Sequence, residues 1–236
     1  SAPVEDFDAL SLGATYRPGS WLWTGRVETR RSSTVDQWRL QTSAQMKPGQ
    51  DTSLLTRLNF LDQQVTDGSL QREAGWLLDL AYRPWESRWM GLNRFELKGY
   101  ERLGLDSNER AWRVVNNFNA NYRFNDRWQT ALLFGLKYLS EDIDGINYSG
   151  TTGLYGFETR YDWRENWDVG LHANTLHSFN LDQRRYSTGV SVGHSFMDNA
   201  WLSVGYNVGG FVDDDLGMDQ STSKGPYLKV RCKLYE

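Results

Sequence analysis

Three histidines stand near groups that could make them catalytic. His172 follows Asp168 by four positions, His177 adjoins Ser178, and His194 adjoins Ser195. A histidine beside a hydroxyl, with a carboxylate to orient it, is the set used in nucleophilic hydrolysis. Such neighbours also arise by chance when three histidines are spread among many serines, and the chain is expected not to be an enzyme. The acidic clusters Asp106 with Glu109, Glu141 with Asp142 and Asp144, and Asp213, Asp214 and Asp215 with Asp219 offer hard oxygen ligands. None has the regular ligand spacing of a dedicated calcium site, so no metal and no cofactor is expected. The single cysteine, Cys232, excludes an internal disulfide framework and a cysteine-based metal site.

The elements that must position these groups are strands. Trp128, Thr130, Leu132, Phe134, Leu136 and Tyr138 share one parity, opposed by Gln129, Ala131, Leu133, Gly135 and Lys137. The stretch before it sets Trp112, Val114, Phe118, Ala120, Tyr122 and Phe124 against Arg113, Asn117, Asn119, Asn121 and Arg123. Period two places alternate side chains on opposite faces, a spacing that no helix satisfies. Equivalent segments fall at 9–17, 21–31, 36–46, 53–63, 72–83, 88–103, 110–124, 127–140, 147–163, 166–178, 184–196, 199–212 and 225–236. Most reach the roughly 9–11 residues that a tilted strand needs to cross a bilayer, whereas soluble strands stop near five or six.

Aromatic residues make up 14% of the 236-residue chain, with 11 tryptophans, although the average hydropathy is polar and no run suffices for a membrane-spanning helix. A transmembrane barrel reconciles these facts, because its strands offer lipid only every second side chain. The expected fold is all-β, an up-and-down antiparallel transmembrane β-barrel of about 12–14 strands, with residues 1–236 as one outer-membrane domain of a Gram-negative cell. Thirteen segments sit awkwardly with the even counts of bacterial barrels. Three resolutions stay open: a further strand upstream of Ser1, a non-spanning 1–17, or a strand from a partner chain. Ser1 to Asp6 lacks the charged start and apolar core of a secretion signal, so the chain reads as mature, trimmed or the excised end of something larger.

Connections alternate between tight and longer. The tight set is 17–20, 47–50, 84–87, 125–126, 164–166 and 198–199; the longer set includes 32–36, 65–71, 104–109, 142–146, 180–183 and 213–224. Trp21, Trp89, Trp128, Trp167 and Trp201 each follow a tight turn, with Trp85 and Trp163 close by, and are expected to form an aromatic girdle at one membrane interface. Lysine or arginine at mid-bilayer on the lipid face costs about 2–4 kcal/mol, so the charged parity is assigned to the lumen. The lumen-lining set is Arg26, Arg39, Arg57, Arg94, Glu96, Arg113, Arg123, Lys137, Glu158, Arg160 and Arg231. Bases outnumber acids there, but Arg26 beside Glu28 and Arg94 beside Glu96 favour a self-neutralised scaffold over a passage with weak anion preference. The acidic loops are expected to be a solvated rim, able to share divalent cations with lipopolysaccharide phosphates. Net charge of −4 and the lack of a clustered basic face argue against a nucleic-acid partner.

Near the carboxyl end, Ala200-Trp201-Leu202-Ser203-Val204-Gly205-Tyr206-Asn207, then Gly210-Phe211-Val212-Asp213-Asp214-Asp215 and Gly225-Pro226-Tyr227-Leu228-Lys229-Val230-Arg231, form a distinctive run. It resembles the C-terminal barrel domains of large Gram-negative surface proteins that carry repeat modules ahead of the barrel. The resemblance implies a membrane anchor for the rest of a longer chain or for other surface-assembly subunits, and it assigns no functional residues. The last strand, with Leu228, Val230, Cys232 and Leu234 on one face, also looks like the signal read by the barrel-assembly machinery. Members commonly end that face with Phe, and Cys232 and Leu234 depart from this.

Overall fold

The computed structural model describes residues 6–105, 107–197, 200–217 and 223–232, with the Arg231 side chain excepted. Asp106, the 198–199 turn, Asp219, Leu234 and the Arg231 side chain therefore lie outside the described residues. The fold is all-β. Thirteen strands are described: β1 Phe7–Tyr16, β2 Trp21–Ser32, β3 Val35–Met46, β4 Thr52–Val65, β5 Leu70–Tyr82, β6 Trp89–Leu103, β7 Asn108–Arg123, β8 Trp128–Ile143, β9 Ile146–Arg164, β10 Trp167–Ser178, β11 Gln183–Met197, β12 Ala200–Gly209 and β13 Gly225–Cys232. They form one sheet in strict chain order. Among the described residues β1 is paired with β2 alone and β13 with β12 alone. Of 1–17, β1 is paired with β2 from Phe7↔Ser32 to Tyr16↔Trp23.

Two of the connections expected to be long are tight. β8 and β9 are joined by Asp144-Gly145 alone, both with positive φ (52° and 83°), the conformation that a two-residue hairpin of matching twist requires. Only Ser33 and Thr34 separate β2 from β3. The strands extend where loops were expected, because hairpin pairing satisfies backbone groups that a loop would leave to water. The connections at 66–69, 104–107 and 179–182 have four residues each, and the connection from β12 to β13 spans 210–224.

The chain divides into two compact units. One comprises Ser1–Tyr82, Arg94–Val115 and Tyr138–Gly150, the other Arg83–Asn93, Asn116–Lys137 and Thr151–Glu236. In each unit the two sheet faces differ in chemistry. In the first, the register Arg26↔Gln41, Glu28↔Arg39, Gln41↔Asn59 and Ser43↔Arg57 sets polar side chains together, while Trp23, Val27, Leu40 and Leu58 occupy the other face. In the second, Asp168, His172 and Asn174 on β10 share a face with Ser187, Gly189 and Gly193 on β11, opposite Val169, Leu171, Val190 and Val192.

Burial is inverted relative to a soluble domain. Leu58, Leu132, Leu171, Val190, Val204 and Leu228 are exposed, whereas Asp168, Asn174, Ser187, Ser203 and Asn207 are buried. Contiguous exposed apolar surface on this scale needs a non-aqueous solvent. On the apolar face of β2, Trp21 and Arg31 bracket Trp23, Gly25, Val27 and Thr29 without an intervening charge. Ten residues at about 3.3 Å each, tilted by about 40°, span roughly 25 Å, the height of the apolar band of an outer-membrane barrel. On β10 the same interval runs from Trp167 to His177.

Leu171 lies near the middle of that interval. Replacing it with Arg is expected to cost about 2–4 kcal/mol in refolding into phospholipid vesicles, against less than about 1.5 kcal/mol for Leu171→Met. Equal costs in urea titrations of vesicle-folded protein would remove β10 from the lipid boundary.

Candidate functional site: a strap on the polar face

In the second unit the chain leaving β12 folds onto the polar face. Along β12, Trp201, Ser203, Gly205 and Asn207 alternate onto this face, sharing it with Lys229 across the Ser203↔Lys229 pair of β13. Asn207 is fully buried, and its side-chain amide donates to the carbonyl of Ser223 (2.8 Å), tying the two ends of the connection together. Between them Phe211–Gly217 forms a strap. Phe211 and Leu216 are buried at 4% and 3% exposure, unlike the large apolar side chains of the opposite face.

Charge fixes the strap in register. Lys137 Nζ donates to Asp213 Oδ2 (2.6 Å) and lies 3.5 Å from Asp215 Oδ2, with all three side chains less than a quarter exposed. Asn117 Nδ2 donates to the Asp215 carbonyl (2.8 Å), and the Leu216 amide donates to Asp213 Oδ1 (3.2 Å). Steric fit completes the seat. A Cβ on Gly135 would stand 2.9 Å from Leu216 Cδ2 and from Asn117 Oδ1, and 3.2 Å from Leu154 Cβ, so the strap approaches β8 closely because this position lacks a side chain. The expected solvated acidic rim is thus corrected at Asp213 and Asp215. Both turn onto the sheet, because a lysine of the polar face compensates them.

Trp201 is the second correction. The parity of β12 turns it to the polar face, where its indole Nε1 donates to Asp168 Oδ2 (2.5 Å) and passes over Gly193, the only residue type that leaves room there. An indole N–H buried beside a carboxylate is held by that hydrogen bond and not by a headgroup region. Trp21, Trp89, Trp128, Trp163 and Trp167 lie on the apolar face, whereas Trp85 stands in the turn before β6 and is exposed. Trp21 faces Trp23 (6.2 Å between rings), Trp89 meets Tyr122 (4.5 Å) and Trp128 meets Phe124 (4.7 Å). Trp163 lies under the Arg164 guanidinium (5.4 Å), and Trp167 stacks on His194 (4.4 Å).

The charged residues of the polar face are distributed, not gathered at one centre. Arg26 pairs with Glu28 (2.9 Å), Arg94 with Asp79 (2.7 Å), and Glu96 with Lys98. Arg39 and Arg113 line a cavity of about 640 Å³ in the first unit with Lys98, Arg102 and Glu141, and Arg57 lines one of about 530 Å³ with Arg26. Arg160 lies 3.6 Å from Asp162, and with Glu158, Asp168, His172 and Lys229 it lines a cavity of about 440 Å³ in the second unit. Arg123 closes β7, its amide donating to the Arg88 carbonyl (2.9 Å).

The histidines separate. His172 sits against Gly189 with its Nε2 buried, while Asp168 is engaged by Trp201. His177 lies 3.3 Å from Asp182, and His194 Nδ1 lies 2.9 Å from the Asn166 carbonyl oxygen. Among the described residues no histidine is hydrogen-bonded to a serine, and no group of three metal-ligating side chains forms.

Two similarities to solved structures are extensive in shape and slight in sequence. The siderophore receptor PirA from Pseudomonas aeruginosa superposes with a TM-score of 0.68 over 86% of this chain and 41% of its own, at 8% identity. The alcaligin outer-membrane receptor FauA from Bordetella pertussis gives 0.60 over 96% of this chain and 46% of its own, at 13% identity. The fold is that of an outer-membrane β-barrel. The ferric citrate transporter FecA also shares it, with a TM-score of 0.57 at 10% identity and 97% of this chain covered. The multi-pass outer-membrane location expected from the strand pattern agrees with this fold. The barrel chain spans less than half the length of each of these structures. No protein-family model and no curated protein matches it.

Sequence reasoning missed Asn117, Asn207, Phe211 and Leu216 as a set. The stretch 200–215 that carries the resemblance to surface-protein barrels supplies Asn207, Phe211, Asp213 and Asp215, residues that anchor or build the strap.

Lys137→Ala strands two carboxylates and is expected to lower stability by roughly 1–3 kcal/mol. Combining Lys137→Ala with Asp213→Ala should recover part of the loss, giving a coupling of about 1 kcal/mol or more in a double-mutant cycle read by urea unfolding in micelles. Additive losses would show that the ion pair does not hold the strap. Gly135→Val should instead displace the strap sterically, at about 1–3 kcal/mol, and open 210–224 to limited proteolysis.

Proposed function

We propose that this barrel is the membrane anchor or scaffold of a larger surface protein or assembly. One observation carries the reading: the strap Phe211–Gly217 between β12 and β13 lies down on the polar face, with Asp213 and Asp215 against Lys137. A solute passage selects ions by presenting uncompensated charge to moving ions. Here Arg26, Arg94 and Lys98 are likewise paired with Glu28, Asp79 and Glu96. The resemblance of 200–231 to the C-terminal barrels of large surface proteins supports the same role. The barrel's partners are then outer-membrane lipid, the barrel-assembly machinery and the chain or subunits that it holds.

A channel is the second reading, favoured by the two cavities of the first unit, about 640 and 530 Å³, and their arginines Arg39, Arg57 and Arg113. The names of the similar structures, receptors and a transporter, belong to proteins more than twice as long. Planar-bilayer recordings of the refolded barrel separate the two. The anchor reading expects a heat-modifiable protein that passes no steady current. Steady anion-selective current that falls on Arg39→Gln and Arg57→Gln would replace it with the channel.

A further inference from the structure

The cavity on the polar face of the second unit holds groups that the strap does not use. Glu158 on β9, Asp168 on β10 and Lys229 on β13 line it together, with Arg160 beside them and Gly217 of the strap at its margin. Asp168 is the fixed point. Its side chain is buried at 5% exposure, Oδ2 accepts from the Trp201 indole (2.5 Å), and Oδ1 has no hydrogen-bond partner among the described residues. A buried carboxylate oxygen without a donor is costly, so its presence at a cavity wall calls for a ligand that donates.

Three further features set the class of ligand. Formal charge around the cavity cancels, Glu158 and Asp168 against Arg160 and Lys229, so a ligand with net charge would carry it uncompensated. The unspent donors and acceptors are single and separated. Arg160 spends its fork on Gln129, whose amide oxygen, turned to the guanidinium, accepts from Nη2 (2.9 Å) and Nε (3.0 Å). Glu158 and Lys229 make no ion pair among the described residues. A carboxylate ligand is best met by a fork of paired donors, whereas a hydroxyl takes one donor and offers one proton, which is what this set can use. Two aromatic rings are seated in the same wall. Trp201 passes over Gly193, where a Cβ would stand 2.6 Å from the indole Nε1, and Tyr227 lies over Gly205, where a Cβ would meet its ring carbon Cζ. Both rings line the cavity. Aromatic rings beside isolated donors and acceptors suit a molecule with apolar C–H faces and a rim of hydroxyls. At about 440 Å³ the space falls in the lower part of the roughly 300–1,000 Å³ typical of small-molecule sites.

We propose that this cavity binds a neutral saccharide of one or two rings, one hydroxyl donating to Asp168 Oδ1 and others engaging Glu158 and Lys229. The site stands independently of the anchor reading, because neither holding a larger chain nor conducting ions requires it.

The test is saturation-transfer NMR of the full chain in lauryldimethylamine-oxide micelles, a detergent without sugar. The titrants are glucose, maltose, lactose and sucrose, with glucuronate, glucosamine and glycine as charged or zwitterionic counterparts. At least one neutral sugar should give a saturable signal in the millimolar range or below, and the counterparts should bind about tenfold more weakly, the effect of one unpaired charge. Glu158→Gln and Lys229→Gln should each weaken that sugar by roughly fivefold to tenfold, and Asp168→Asn by tenfold or more. Heat-modifiable mobility on gels reports folding of each variant. Should Asp168→Asn not fold, Ala131→Trp, which fills the cavity from β8, is expected to abolish the signal. A wild type without a saturable signal for any of the four sugars, a preference for glycine or a charged compound, or a folded Ala131→Trp that binds like the wild type overturns the assignment.

Discussion

Within hydrocarbon no water is present to receive a backbone N–H or C=O, so each must find its partner in the chain itself. That demand explains the strand lengths here. β9 runs for 19 residues and β7 and β8 for 16 each, well beyond soluble strands, because a ladder cannot stop inside lipid without leaving groups unpaired. It also explains why Asp144-Gly145 closes a hairpin where a loop of five residues was expected: extending the ladder costs less than leaving the backbone to irregular structure. Once pairing is compulsory, the side chains are free to follow two solvents, and period two sorts them.

The sorting has different consequences on the two faces. On the apolar face large aliphatic and aromatic groups remain exposed and bracket an uncharged interval about as tall as a bilayer core. On the polar face carboxylates and guanidiniums neutralise one another in pairs two residues apart or on neighbouring strands, as Arg26 does with Glu28 and Arg94 with Asp79. The strap belongs to this second chemistry. Its acids find Lys137 and its apolar residues find the gap above Gly135, so one segment satisfies charge and packing together.

Period two made most of this legible in advance. Strand existence and face followed from residues such as Leu132 against Leu133 and Arg113 against Trp112, since alternation is a local property of the chain. The strap was not legible. Asp213 pairs with a lysine 76 residues earlier, and nothing in the acidic run itself distinguishes a loop in water from one that turns inward. Trp201 was misplaced for a related reason. Its position after a turn matched the other tryptophans, but its parity with Ser203 and Asn207 gives the opposite face, and parity outranks proximity to a turn. The extent of β8 and β9 was hidden because Asp, Gly and Asn at 142–147 read as loop composition, although Asp144-Gly145 is itself a hairpin signal.

The strap ties together parts of the chain that are synthesised far apart. Its contacts with Asn117 and Lys137 close loops of 98 and 76 residues, whereas hairpin pairing closes loops a few residues long. Closing long loops is entropically expensive and slow, so neighbouring hairpins form before such contacts do. The strap can seat only after β7 and β8 already stand beside their neighbours, and after β12 has brought Asn207 to the end of the array. Its docking is thus a record that the carboxyl-terminal half has been assembled in the right order, written in the one segment that the sheet itself does not need.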